Sequence, residues 1–179
     1  MLFRSEGARL ILTDGCYADY FESEVEDEAD EDFDDNVFSM LFSVRERIFD
    51  ILCDSSLPVE TRLSEILSIA QGTQLVLSGS VPEGVSCDFS FKDELTRLVP
   101  VLEETEAIDE KWSECLEKLK AAINGGMTLS LDKDEEKYAE RLFVYFVWRY
   151  FLKSVFDFNV TEKIRLALFS VTAIFAIYR

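Results

Sequence analysis

The chain contains no histidine. These residues alone therefore cannot build Ser-His-Asp or Cys-His catalysis, a His-ligated metal site or a histidine pH switch. Basic residues are scarce as well: 18 Lys+Arg face 36 Asp+Glu, a formal charge of −18. That balance excludes a nucleic-acid surface, because phosphate binding rests on clustered Lys and Arg. Proline (3) and glycine (7) are few, and no Pro-rich or Ser-rich tract occurs. The four cysteines, Cys16, Cys53, Cys87 and Cys115, stand 28 or more residues apart. No pair has the spacing of a zinc or iron–sulfur knuckle, so no metal site is expected. The apolar stretch Leu10-Ile11-Leu12 is far too short for the core of a signal peptide, and free thiols in a cytoplasmic protein are the expectation. Long apolar runs are missing too. In the two apolar C-terminal segments the runs uninterrupted by charge are 7 residues (142–148) and 13 (166–178), short of the roughly 20 that a membrane span needs.

What is present is enough for one folded domain. The 179 residues are 48% apolar and 30% charged, which is neither a disordered nor a fibrous composition. The charge is unevenly placed: ten of the fourteen residues 22–35 are acidic and none is basic. Self-repulsion predicts a solvated, mobile linker there. It divides residues 1–21, read as a helix tail (4–13) and an extended stretch (16–21), from a helical domain over 36–179.

Within that domain the apolar spacing predicts helices over 36–53, 59–71, 91–104, 109–123, 133–156 and 160–178. Val37, Leu41, Val44, Ile48 and Ile51 recur at alternating intervals of four and three, as do Val59, Leu63, Ile66 and Ala70. Pro58 suits a first turn, and Gly72 reads as the following stop. Gln74 to Leu77 reads as a short strand inside a connector over 73–88. Ser90 with Asp93, Asp109, Asp132 with Glu135, and Asn159 with Glu162 are the expected caps. Pro100 should kink or end its helix at Val99. Asn124-Gly125-Gly126 should stop the fourth helix. The last two segments are apolar nearly all round, the pattern of helices buried on several sides. The fold class expected is all-α, a single multi-helix domain around two long apolar C-terminal helices.

Candidate chemistry is thin. Asp30, Asp32 and Asp34 alternate like calcium ligands. A calcium loop begun at Asp30 would need glycine where Asp35 stands and a carboxylate where Leu41 stands, so a solvated linker is the better reading. Gly125-Gly126 follows a helix, which fits a helix stop and not a phosphate cradle. Cys53 and Cys115 lie in apolar stripes, where a thiol behaves as a small hydrophobe. Phe143, Tyr145, Phe146, Trp148, Tyr150 and Phe151 read as core packing. Arg141, Arg149 and Arg165 read as helix-margin residues reaching water, the alternative being that one binds a substrate carboxylate. No catalytic or cofactor-binding residue can be assigned on these grounds.

Several stretches, in order, resemble the flagellin lysine-N-methylase family of bacterial proteins. They begin with Ser5-Glu6-Gly7-Ala8-Arg9-Leu10-Ile11-Leu12, in which Glu6 and Gly7 stand where that family has a Cys-Pro pair. Ser43-Val44-Arg45-Glu46-Arg47-Ile48-Phe49-Asp50-Ile51-Leu52 and Pro58-Val59-Glu60-Thr61-Arg62-Leu63 follow the acidic run. Leu102-Glu103-Glu104, then Ile108-Asp109-Glu110-Lys111-Trp112, come next. Last is the aromatic helix Glu140-Arg141-Leu142-Phe143-Val144-Tyr145-Phe146-Val147-Trp148-Arg149-Tyr150-Phe151-Leu152. The resemblance implies protein-lysine N-methylation with S-adenosylmethionine as donor and flagellin as partner. It also implies a middle-to-late helical portion of such a protein, lacking the upstream cysteine-rich part that could hold an iron–sulfur or metal centre. The alternative is a non-catalytic helical interaction or substrate-docking domain.

Overall fold

The acidic run does not stop short of the first helix; its last two residues start it. In the computed structural model, which describes residues 34–104 and 110–178, the Asp34 carboxylate accepts from the backbone N–H of Asn36 (2.9 Å) and Val37 (3.1 Å). Helix α1, Asp35–Leu52, therefore opens one residue earlier than its apolar spacing predicts, with negative charge at its positive end. Five more long helices follow: α2, Val59–Leu77; α3, Phe91–Glu103; α4, Glu110–Asn124; α5, Lys133–Tyr150; and α6, Val160–Ile177. The expected all-α class is observed. Residues 1–33, with the expected helix tail, the extended stretch, Cys16, Asp30 and Asp32, lie outside the described residues, as does the Asp109 cap.

Local signals place several boundaries. Asp132 and Glu135 form a complete capping box at α5, each side chain accepting from the other's backbone N–H. Ser90 accepts from Asp93 N–H at α3, and Asn159 from Glu162 N–H at α6. The α4 helix closes in a Schellman motif: Gly126 N–H reaches Ile123 O (3.0 Å) and Met127 N–H reaches Ala122 O (2.9 Å). Gly126 supplies the left-handed conformation, with φ +86°.

Elsewhere tertiary contacts overrule the local reading. Gly72 does not stop α2, which runs on to Leu77. The stop is Gly79 (φ +75°), in the same motif, with Gly79 N–H on Val76 O and Ser80 N–H on Leu75 O. The expected strand at 74–77 is therefore the last turn of α2, and the connector is shorter than 73–88. Pro100 does not end α3. The proline faces solvent, while Leu98 and Leu102 on either side of it are buried and keep the last turn against the core. The expected helix 133–156 breaks after Tyr150 into a 3-10 turn, Phe151–Lys153, and a single α-turn, Ser154–Asp157. A three-residue repeat aligns Phe151 with Ser154 and Leu152 with Val155, and all four are buried.

The α6 helix is the centre of the bundle, packing on α2, α3, α4, α5 and the 3-10 turn. Its buried set runs from Val160 through Ile164, Ala167, Leu168, Val171 and Thr172 to Ala176. The α1 helix packs on α2, α5 and the elbow that follows α5. The expectation that α5 too is buried on several sides is not met. Its Ala139, Phe143, Val144 and Val147 face inward, while Tyr138, Arg141, Tyr145 and Arg149 face water.

Arg62 joins α1, α2 and α5. It is 1% exposed, yet sits in the apolar stripe of α2 between Val59 and Ile66. Its Nη1 donates to the Leu52 carbonyl at the end of α1 and to Glu140 Oε1 on α5 (2.6 Å), and Nη2 lies 3.8 Å from Glu136. Removing one partner of a buried ion pair strands the other charge, at a cost of about 3–5 kcal/mol. Arg62→Ala should therefore lower the unfolding free energy by about that much in urea titrations, and Glu140→Gln, which keeps an acceptor, by clearly less. Equal, sub-kcal/mol losses from both would show that the cluster does not hold the three helices together.

Candidate functional site

The feature best suited to recognition is the outer face of α5. Helical spacing that turns Phe143, Val144 and Val147 into the core leaves positions 138, 141, 145 and 149 in one outward stripe. Tyr138 is 58% and Tyr145 43% exposed. The Arg141 guanidinium lies over the Tyr138 ring, 5.7 Å from its centroid, and Arg149 over the Tyr150 ring at 5.8 Å. Tyr145 meets Phe146 edge-on at 5.5 Å, and Phe146 stacks with Tyr150 at 6.4 Å and 17°. Each cation–π contact is worth about 0.5–1 kcal/mol when exposed, so the stripe is partly organised before anything binds.

Its charge sets it apart from the rest of the chain. Residues 141–156 contain Arg141, Arg149 and Lys153 and no carboxylate, in a protein whose acids outnumber its bases two to one. Elsewhere on the surface cations and acids are paired: Arg47 with Glu65, Arg97 with Glu94, Lys118 with Glu114, Lys120 with Glu103 and Glu117, and Lys163 with Asp157. Tyrosine, tryptophan and arginine are the residues that dominate protein-binding surfaces.

A concavity of about 650 Å³ lies between α4 and the end of α6. Cys115, Leu119, Ala122, Met127, Ala176 and Ile177 supply its apolar wall, and Lys118 its charged group. That ammonium is already engaged: a 2.7 Å hydrogen bond to Glu114 raises the lysine pKa and lowers that of the carboxylate. The groove thus offers apolar surface and a half-buried thiol but few converging polar groups, which makes it a poor fit to a polar substrate.

The residues singled out by sequence separate clearly. Arg141, Arg149 and Arg165 are all exposed, as expected for helix-margin residues. Arg165 acts at a distance on Glu94. Burial raises the carboxyl pKa there, against the opposing pull of Arg97 and then Arg165. Cys53, Cys87 and Cys115 are half-buried, with Cys115 alone in the groove. Of the aromatic group, Phe143 and Phe151 are core while Tyr145 is on the surface. Asp34 caps a helix through one carboxylate oxygen. Among the described residues no group of three His, Cys, Asp or Glu could hold a metal, and no helix is long and apolar enough to cross a membrane.

Sequence reasoning missed Arg45 and Arg62, the two arginines that are buried among the described residues. Their signal was periodicity: each occupies an apolar-stripe position, Arg45 between Leu41 and Ile48, Arg62 between Val59 and Ile66. Arg45 lies over the Phe42 and Phe49 rings at 4.7 and 5.8 Å and pairs with Glu46 at 3.3 Å.

No protein-family model, curated protein or solved structure matches the chain.

If the α5 stripe serves recognition and not folding, Tyr138→Ala and Arg141→Ala should each lower the unfolding free energy by no more than about 1 kcal/mol, the value of the one exposed cation–π contact that both remove. A loss above 1 kcal/mol in urea unfolding would assign the stripe to the fold.

Proposed function

We propose that the chain is a helical docking domain that takes an acidic segment of a protein partner along the outer face of α5. The observation that carries this reading is the concentration of exposed tyrosine and arginine, free of carboxylates over residues 141–156, on one face of a strongly acidic protein. Opposite charge attracts at contact range, and the aromatic rings supply contact area that is already ordered. A few exposed ion pairs at about 0.2–1 kcal/mol each, with ring contacts of similar size, correspond to weak and transient binding. A fluorescein-labelled peptide of alternating glutamate and tyrosine is the probe. It should bind with a Kd of about 0.1 mM, lose affinity as salt is raised, and bind at least fivefold more weakly to Arg141→Ala. Binding that ignores both salt and Arg141 would remove this face as the site.

The order of the resembling stretches supports a second reading, in which this docking domain is part of a protein-lysine N-methyltransferase acting on flagellin in the cytoplasm. Three of those stretches, residues 43–52, 58–63 and 140–152, meet at Arg62 through the Leu52 carbonyl and Glu140. This supports a shared helical scaffold and leaves the reacting groups unassigned. Methyl transfer needs a deprotonated lysine amine aligned with the donor methyl and shielded from water, so positioning and desolvation are the chief demands. S-adenosylmethionine at 100 times its Kd should add about 2.7 kcal/mol to the stability if these residues hold a donor site. An unshifted melting curve at millimolar ligand would count against a donor site in this chain.

A further inference from the structure

The outer stripe of α5 is complementary to a second copy of itself. Asp134, Tyr138, Arg141 and Tyr145, all exposed, follow one another at intervals of four, three and four, the spacing of a coiled-coil seam. The helix is also polarised in charge along its length. Residues 132–140 hold five carboxylates against two lysines, and residues 141–156 hold three bases and no acid. Most of those carboxylates have tasks within the fold: Asp132 and Glu135 form the capping box, and Glu136 and Glu140 face Arg62. Asp134 points outward, its side chain 82% exposed, in an exposed pair with Lys137 at 3.1 Å. A single pair of that kind contributes little, so it does not oppose exchange for another contact.

A parallel pairing of two such helices would set acid on acid and base on base. An antiparallel pairing about a two-fold axis sets each acidic opening on the basic half of the other helix, twice over. With that axis level with the bond between Ala139 and Glu140, Tyr138 meets the partner's Arg141 and Asp134 meets the partner's Tyr145. Each Arg141 then lies between two tyrosine rings, its own Tyr138 at 5.7 Å and the one from the other copy. Asp134 accepts from the hydroxyl of the partner's Tyr145. It also stands one turn, about 6 Å, from the level of the partner's Arg141, within the span of that long side chain.

We infer that the chain forms a weak two-fold dimer through antiparallel α5 helices, in which the acidic segment on the stripe is the opening of the partner's α5. This rests on the docking reading of that face and names its occupant. One helix from each copy buries far less surface than a permanent dimer does, so the association is transient, with a Kd of about 0.1 mM. Because the same residues serve both, dimerisation competes with any other acidic partner.

The test is sedimentation equilibrium of the full chain, of Arg141→Glu, of Asp134→Arg and of the double exchange Asp134→Arg with Arg141→Glu, each also titrated with the labelled glutamate–tyrosine peptide. Circular dichroism checks that helix content is kept, and Tyr138→Ala, which leaves the start of α5 untouched, is a further variant that should weaken the dimer about fivefold. The parent should pass from monomer to dimer between about 0.01 and 1 mM. Each single charge change should weaken the dimer about tenfold or more by setting like charges together, and the double exchange should restore it to within about threefold, since it reverses both halves of a self-complementary face. The double exchange should not restore binding of the peptide, which needs a cation at position 141. A parent that stays monomeric to about 1 mM while binding the peptide would overturn the dimer and keep the docking face. A monomeric parent that also fails to bind the peptide would take down both. A dimer indifferent to the single changes, or one that the double exchange leaves broken, would place association on another surface and overturn the antiparallel pairing.

Discussion

The arrangement of the bundle depends on one buried guanidinium. Arg62 is fully covered, and stripping water from its charge costs several kcal/mol. Its hydrogen-bond partners come from residues 10 and 78 positions away in sequence. An apolar residue there could fill the space but could not distinguish one register of α1 against α5 from another. A planar fork that must find a carbonyl and a carboxylate at once accepts few alternatives. The Nε atom finds no partner among the described residues, so the cluster is not fully satisfied. We read Arg62 as a device of specificity more than of net stability.

The α2 helix extends the same logic along its length. Its Glu60, Ser64 and Ser68, four residues apart, accept from the backbone N–H of Phe91 (2.9 Å), Phe89 (2.9 Å) and Cys87 (2.9 Å). A helix rises about 6.0 Å in four residues, and an extended chain advances about 6.6 Å in two, so helix side chains and alternate amides stay in step. The connector is thereby laid antiparallel along α2, and Glu60 also satisfies the first turn of α3. At the other end Gln74 accepts from Val160 N–H (2.8 Å) and donates to the Phe158 carbonyl (2.7 Å). That contact holds Phe158 in a left-handed conformation, φ 51°, where an L-residue is uncommon. One helix thus supplies caps for two others.

These long-range bonds explain what could be read in advance and what could not. The capping box of Asp132 and Glu135 and the Gly126 stop need only neighbours in sequence, so their residues announce them. The choice between Gly72 and Gly79 as the end of α2 depends on Gln74 reaching α6, some 86 residues on. The apolar run Leu75-Val76-Leu77 looked like a strand because nothing local shows that Gln74 is committed elsewhere. The one-sided burial of α5 was hidden because its outward residues, Tyr138 and Tyr145, count as apolar in any periodicity although their hydroxyl-bearing rings suit a wet surface. Arg45 and Arg62 were legible as charges out of phase with their surroundings, but not as buried, since the partner carboxylate of Arg62 is 78 residues away.

The two functional readings ask for opposite surfaces. A lysine-bearing substrate is drawn to carboxylates, which this chain has nearly everywhere; the α5 stripe repels it. The occupant proposed for the stripe is therefore acidic on either reading. In a molecule with a formal charge of −18, an acidic partner meets a repulsive field at long range. It gains contact only where cations and rings are concentrated, within roughly the 8 Å screening length of physiological salt. Such a surface selects by short-range fit more than by steering.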